Sequence, residues 1–125
     1  MTKGVGTILW MAPELFTGGT HYKQEVDMYS FGVIMWELLT RQIPWNEINE
    51  PQFIRFYEVL STALENNQRP HIEPRMIELY PDFTKLMNKC WATNQESRPT
   101  FKEVVISFRY IKSDRCPPYL SLVDY

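Results

Sequence analysis

The sequence predicts a mainly α-helical domain, and three observations carry that prediction. Apolar residues recur at helical spacing in four stretches, proline-marked loops separate those stretches, and no alternating run is long enough for a strand. At 125 residues with 44% apolar and 14% aromatic content, the chain can bury one core and little more.

The first helix is expected from about Val26 to Thr40. Its apolar residues Val26, Met28, Phe31, Val33, Ile34, Met35, Trp36, Leu38 and Leu39 point in nearly every direction, which places it at the centre of the domain. Asp27 falls in its expected first turn, where the positive end of the helix dipole favours a carboxylate. Pro44 and Pro51 make "RQIPWNEINEP" a loop.

A second, amphipathic helix is expected from about Gln52, with Phe53, Phe56, Tyr57, Leu60 and Leu64 on one face. It should end near Asn66 and Asn67, since asparagine tolerates the left-handed turn that stops a helix. The stretch "QRPHIEP" has two prolines and no periodicity. A third helix, from about Asp82 to Trp91, would place Phe83, Leu86, Met87 and Cys90 together, with Asp82 as its N-cap.

The fourth helix has the best-marked start. In "TFKE", Thr100 stands at the N-cap and Glu103 at the third helical position, the reciprocal capping-box arrangement. Its expected apolar face is Phe101, Val104, Val105, Phe108 and Ile111. The tail "CPPYLSLVDY" cannot continue a helix and is expected along the surface or disordered.

Charge and composition exclude several functions. A net charge of -2 gives no positive field for nucleic acid or anionic lipid. The most apolar run, "FGVIMWELL", is far shorter than the roughly 20 residues that span a bilayer. No signal-peptide pattern is visible, so a cytoplasmic setting is expected. Cys90 and Cys116 lack the close pairs of a zinc site or disulfide framework and read as reduced thiols, Cys90 in the core. His21 and His71 have no partners at metal-ligand spacing and read as loop residues.

Gly4 and Gly6 suggest a phosphate loop, but Leu9 stands where the dinucleotide fingerprint needs a third glycine, and no Gly-Lys-Ser/Thr follows. No cofactor-binding or metal residue is therefore expected here. The same region instead contains "GTILWMAPE", followed by "DMYSFGVIMWELL" and "CWATNQESRPTFKEV". In this order the three resemble the C-terminal lobe of a eukaryotic protein kinase, with A-P-E one of that family's signatures. The resemblance covers about residues 2–112, leaving 113–125 as a tail. It implies a partial kinase-like fold: the helical C-lobe from the activation segment onward, with no N-lobe.

"WMAPE", "CW" and "RPTF" are similar to the tyrosine kinases and the tyrosine-kinase-like group of serine/threonine kinases. Thr7 favours serine/threonine specificity, because a threonine there in those enzymes bonds the catalytic aspartate and lysine; some members of the group are dual-specific. The resemblance makes Ile8, Leu9 and Trp10 the pocket for the substrate residue just after the phosphorylated one, with core packing as the competing role. It makes Ala12, Pro13 and Glu14 the end of the activation segment, Glu14 paired with Arg98. Asp27 would hold the backbone of the catalytic loop or, more simply, serve its own helix. Thr2 is a possible phosphosite, or an ordinary terminal threonine. Two departures from the family pattern are Asn67 in a glycine place and Gln95 where proline is common; neither puts the fold in doubt.

Phosphoryl transfer also needs parts that these residues do not contain: the glycine-rich loop, the V-A-I-K lysine, H-R-D-x-x-x-x-N and D-F-G. The expectation is a portion of a serine/threonine kinase, inactive alone, whose intact parent uses ATP and Mg2+ on protein hydroxyls. The alternative is a non-catalytic module that docks protein substrates or partner kinases, for instance through the helix near 53–64.

Overall fold

A computed structural model describes residues 8–18, 23–111 and 117. Its elements are α1 (Glu14–Thr17), α2 (Lys23–Thr40), α3 (Phe53–Glu65), α4 (Pro74–Leu79), α5 (Pro81–Cys90), a 3-10 turn (Gln95–Ser97) and α6 (Phe101–Tyr110). Among the described residues there is no strand.

The long helix α2 is the axis of the domain. Met28, Tyr29, Gly32, Val33, Met35, Trp36 and Leu39 are buried, and only Ile34 among its large apolar residues is substantially exposed. It begins at Lys23, three residues before the expected start. Lys23, Gln24 and Glu25 are polar, so apolar periodicity cannot reveal the turn they form. This moves Asp27 out of the first turn, and Glu25 is the acidic residue there.

Helix α5 packs on α2 at very short range. A Cβ added to Gly32 would lie 3.0 Å from the Cβ of Cys90 and 3.2 Å from both the Cβ and the backbone nitrogen of Trp91. Cys90 is fully buried there, and desolvation pushes its thiol up to about 12. Trp91, the residue that ends α5, is core, with its indole N–H donating to Asn88 Oδ1 at 3.0 Å.

Helix α3 buries Phe56, Leu60 and Leu64, as its periodicity predicts, and Ala63 besides, but it leaves Tyr57 half-buried and Phe53 43% exposed. Phe53 is the first helical residue, at the edge of the buried stripe. The helix stops where expected: Asn67 is left-handed at φ 60° and its side chain accepts from the Thr93 hydroxyl at 2.8 Å. Asn67 thus fills a glycine position and adds a tether that glycine lacks.

Three short elements escape sequence periodicity: α1, α4 and the 3-10 turn are each six residues or fewer. The Asp82 cap is also corrected. Tyr80 is the N-cap of α5 and Pro81 opens the helix, because proline needs no N–H partner in the first turn; Asp82 sits one residue further in.

The capping box of α6 is present in both directions: the Glu103 N–H donates to Thr100 Oγ1, and the Thr100 N–H donates to Glu103 Oε1, each at 3.2 Å. The expected apolar face of α6 needs correction. Only Val104 is buried; Phe108 and Ile111 pack partly against the core, while Phe101 and Val105 are 47% and 52% exposed. The helix lies at the margin of the domain and meets it along a narrower stripe. Phe31 of α2 still engages the rings of Phe101 and Phe108, at centroid distances of 5.7 and 6.5 Å. The expectations for Cys116, His21 and most of the tail lie outside the described residues; Pro117, within the tail, is fully buried rather than at the surface.

Gly32→Ala tests the α2–α5 contact. Neighbours as rigid as Cys90 and the Trp91 backbone leave little room, so the variant should lose about 1–3 kcal/mol of stability, read as a lower denaturant midpoint at unchanged slope.

Candidate functional site: the anchored Ile8–Glu14 segment

The segment from Ile8 to Glu14 contains every described residue of the "ILWMAPE" stretch, and three sets of contacts fix it. Ile8, Leu9 and Ala12 are buried in the core, and the Met11 N–H donates to the Ile8 carbonyl at 3.2 Å, closing a turn. Trp10, half-buried, is held at two points by α2. Its indole N–H donates to Glu37 Oε1 at 2.6 Å, and its carbonyl accepts from the Ser30 hydroxyl at 2.8 Å. Pro13 precedes α1 with helical backbone angles and so launches the short helix that carries Glu14.

Glu14 and Arg98, 84 positions apart, meet as a fork on a fork. Nη1 donates to Glu14 Oε2 at 2.7 Å and Nη2 to Oε1 at 2.9 Å. The Arg98 side chain has no exposed surface and Glu14 only 11%. Two backbone carbonyls take two more of its five N–H groups: Glu25 accepts from Nη1 and Ala92 from Nε, both at 2.8 Å. A planar, always-charged guanidinium suits this role because its donors diverge in fixed directions.

A second arginine supports the same corner. Arg69 donates through Nε and Nη2 to the Trp91 carbonyl, through Nη2 to Thr93 Oγ1 and through Nη1 to the Gln68 carbonyl. Burial lowers its pKa, with the neighbouring Arg98 charge acting in the same direction. Both guanidiniums lie 5.2 Å from the ring centre of Tyr29, a cation–π arrangement. The Tyr29 hydroxyl is buried without a hydrogen-bond partner among the described residues. Burial pushes its pKa up to about 12, against the opposing pull of Arg69 and Arg98.

A groove of about 250 Å³ opens beside Glu14, between α1 and α3, with Phe16, Thr17, Ser61, Leu64 and Thr93 among its walls. The rings of Phe16 and Tyr57, 5.0 Å apart between centroids, join the two helices.

The structure therefore brings together Ile8, Leu9, Trp10, Ala12, Pro13, Glu14 and Arg98. Asp27 stands apart: it is exposed, and its side chain bonds no described residue. Thr2 and Thr7 lie outside the described residues. Sequence reasoning missed Ser30, Glu37 and Arg69; Arg69 belongs to the "NQRP" run, whereas Ser30 and Glu37 look like ordinary polar interruptions of an apolar helix. His71 is an exposed loop residue whose Nε2 lies 3.3 Å from Glu73 Oε1. No three His, Cys, Asp or Glu side chains among the described residues stand where they could hold a metal ion. No described helix is long and apolar enough to cross a membrane.

These features, the A-P-E end of a segment locked by a buried arginine onto a central helix, are those of a protein kinase C-lobe. Residues 1–108 match the family described as protein tyrosine and serine/threonine kinase, and the chain belongs to that family. Over 105 residues it is 38% identical to a probable serine/threonine-protein kinase of Dictyostelium discoideum, covering 84% of this chain and 7% of that protein. It is 36% identical to human mitogen-activated protein kinase kinase kinase 7 over 84% of this chain and 16% of that protein. The dual specificity protein kinase shkA of Dictyostelium discoideum is 34% identical over 90% of this chain and 20% of that protein. The chain thus spans a fifth or less of the length of these relatives.

Two measurements test the anchor. Glu14→Ala leaves a buried guanidinium without its counter-charge and should cost about 3–5 kcal/mol; Arg98→Lys keeps the charge but loses the fork and should cost at least about 2 kcal/mol, both read by denaturant unfolding. Tyr29 gives a pH test. Its native pKa lies above the unfolded value of 10.0, so the native state holds the proton that the unfolded state releases. Its contribution is complete below pH 10 and falls as pH rises toward about 12. Tyr29→Phe, which deletes an unbonded hydroxyl, should flatten that alkaline decline while leaving neutral-pH stability within about 1 kcal/mol of the parent.

Proposed function

We propose that this chain is the C-lobe portion of a protein serine/threonine kinase, which in an intact parent transfers the ATP γ-phosphoryl group to protein hydroxyls with Mg2+. The observation that carries the proposal is the fixing of residues 8–14, buried at one end and bonded through Trp10 and Glu14 to α2 and Arg98. A loop tied in this way can present a constant surface to a protein substrate, and catalysis by positioning is what phosphoryl transfer chiefly requires.

In this reading Ile8, Leu9 and Trp10 form the subsite for the residue following the acceptor. Glu14 and Arg98 hold the end of the activation segment. The exposed Asp27 carboxylate takes backbone N–H groups of a catalytic loop, Thr7 marks serine/threonine rather than tyrosine acceptors, and Thr2 is a regulatory phosphosite. The glycine-rich loop, the V-A-I-K lysine, H-R-D-x-x-x-x-N and D-F-G are not among these residues, so the nucleotide and metal would be held by other parts of a kinase domain. The relative named as a probable serine/threonine-protein kinase favours serine/threonine acceptors, and two named as dual specificity kinases favour a broader choice. A cytoplasmic setting belongs to the same proposal.

One observation favours a second reading, a non-catalytic docking module. Phe53, Ile54 and Val59 on α3 are 43%, 71% and 42% exposed, more apolar surface than a solvent-facing helix needs. In-frame H-R-D and D-F-G codons upstream of Met1 would favour the kinase, and a stop codon close upstream with a matching transcript end would favour the module.

The enzymatic test uses labelled ATP, Mg2+ and peptides bearing serine, threonine or tyrosine. The longest product of the gene should label serine and threonine peptides, and the 125-residue chain none. Labelling of tyrosine alone, or turnover by the short chain in isolation, would overturn the proposal.

A further inference from the structure

Arg69 is a half-buried cation that no described carboxylate pairs with. Its N–H groups go to the Trp91 and Gln68 carbonyls and to one hydroxyl, Thr93 Oγ1, which accepts from Nη2 at 3.0 Å. Neutral acceptors satisfy the donors but do not balance the charge. Glu14, whose charge favours the Arg69 cation, is already forked onto Arg98, and Arg98 itself opposes it.

The hydroxyl on this cation is open to solvent. Thr93 is exposed, and it donates to Oδ1 of Asn67, also exposed, at 2.8 Å. The oxygen therefore sits where water, a guanidinium and a side-chain amide meet. The segment that carries it, residues 93–97, is mostly exposed and is held locally by a 3-10 turn of three residues, so it opens at less cost than the helices on either side. Glu96, exposed three places beyond Thr93, adds a carboxylate that an acid-directed protein kinase can read.

We propose that Thr93 is a phosphorylation site, and that Arg69 and Asn67 are the receptor for the phosphate it acquires. In the transfer, Thr93 Oγ1 forms a bond to the γ-phosphorus of ATP while the bond from that phosphorus to the β,γ-bridging oxygen breaks. ADP leaves with the electron pair, and the hydroxyl proton passes to a base of the modifying enzyme. With that proton gone, Asn67 turns its amide and donates an N–H to the phosphate, beside the charge-assisted bond from Arg69. The group brings a charge of about −1.5 to −2. It supplies the counter-charge that Arg69 lacks and staples the turn after α3 to the loop after α5. Thr93 also lines the groove beside Glu14, so one end of that groove becomes strongly negative. The proposal does not depend on the kinase reading above.

Two measurements test it. In the first, the folded full chain is incubated with Mg-ATP and a protein kinase selective for an acidic residue three places after the acceptor, and the modified position is read by mass spectrometry. Thr93 should be labelled, and Glu96→Ala should slow the labelling about 10-fold. In the second, phosphothreonine is installed at position 93 by codon suppression and its phosphorus NMR signal is titrated. The second ionisation, at about 6 for a free phosphate ester, should fall by about half a unit in the folded chain and return to about 6 in urea. Arg69→Gln should abolish most of that shift. Asn67→Gly, which suits the left-handed backbone there, should abolish part of it. The urea-unfolded chain supplies the reference, so the comparison stands if Arg69→Gln fails to fold. No label at Thr93 in the folded chain overturns the proposal. So does a folded-state phosphate that ionises at or above its value in urea, the result expected if Glu14 and Glu65 outweigh Arg69.

Discussion

The buried Arg98 guanidinium is the constraint on which the rest of the arrangement depends. A charge with no access to water must be matched from within, and this one is matched by a carboxylate from α1, a carbonyl from the first turn of α2 and a carbonyl from the loop after α5. None of the three is near it in the chain, except the last. Once the guanidinium is placed, the positions of all three follow, because its donors cannot be redirected. Such a pair adds little net stability after desolvation, but it discriminates strongly against arrangements in which any one partner is displaced.

The second arginine makes the corner around Trp91 and Ala92 doubly held. Arg69 takes the Trp91 carbonyl and Arg98 the Ala92 carbonyl, so consecutive peptide groups are gripped by separate cations. Two like charges this close would repel; the shared Tyr29 ring presents its negative π-face to both. The close approach at Gly32 sets the distance from α2 to this corner, and the Trp10 grip extends the order to the other end of the same helix. A single helix thus registers the Ile8–Glu14 segment on one side and the loop after α5 on the other.

Sequence periodicity revealed the four longer helices because each repeats its buried residues over at least two turns. It failed where the signal is polar or short: the Lys23–Glu25 turn, α1, α4 and the 3-10 turn. It overstated the buried face of α6, since an apolar residue at the right spacing can still lie beyond the edge of its neighbour, as Phe101 and Val105 do. The bond between Glu14 and Arg98 was readable only through motifs, as no local rule links residues so far apart. Ser30 and Glu37 carried no signal, because a serine and a glutamate in a buried helix announce only that they need partners. Asp82 was misread because proline in the first turn outranks a capping side chain one residue later.

The close contact at Gly32 also gives the domain a built-in clock. Cys90 lies against that glycine with no exposed surface, and its thiolate is strongly disfavoured where it stands. Nucleophilic attack and oxidation both proceed through the thiolate, so in the closed state this sulfur is chemically silent. Any alkylation or sulfenic acid found at Cys90 records a moment when its contact with α2 was open, by local or global unfolding. With a reagent that outpaces reclosing, the rate at which it accumulates is the frequency of that opening; with a slower one it measures the open fraction.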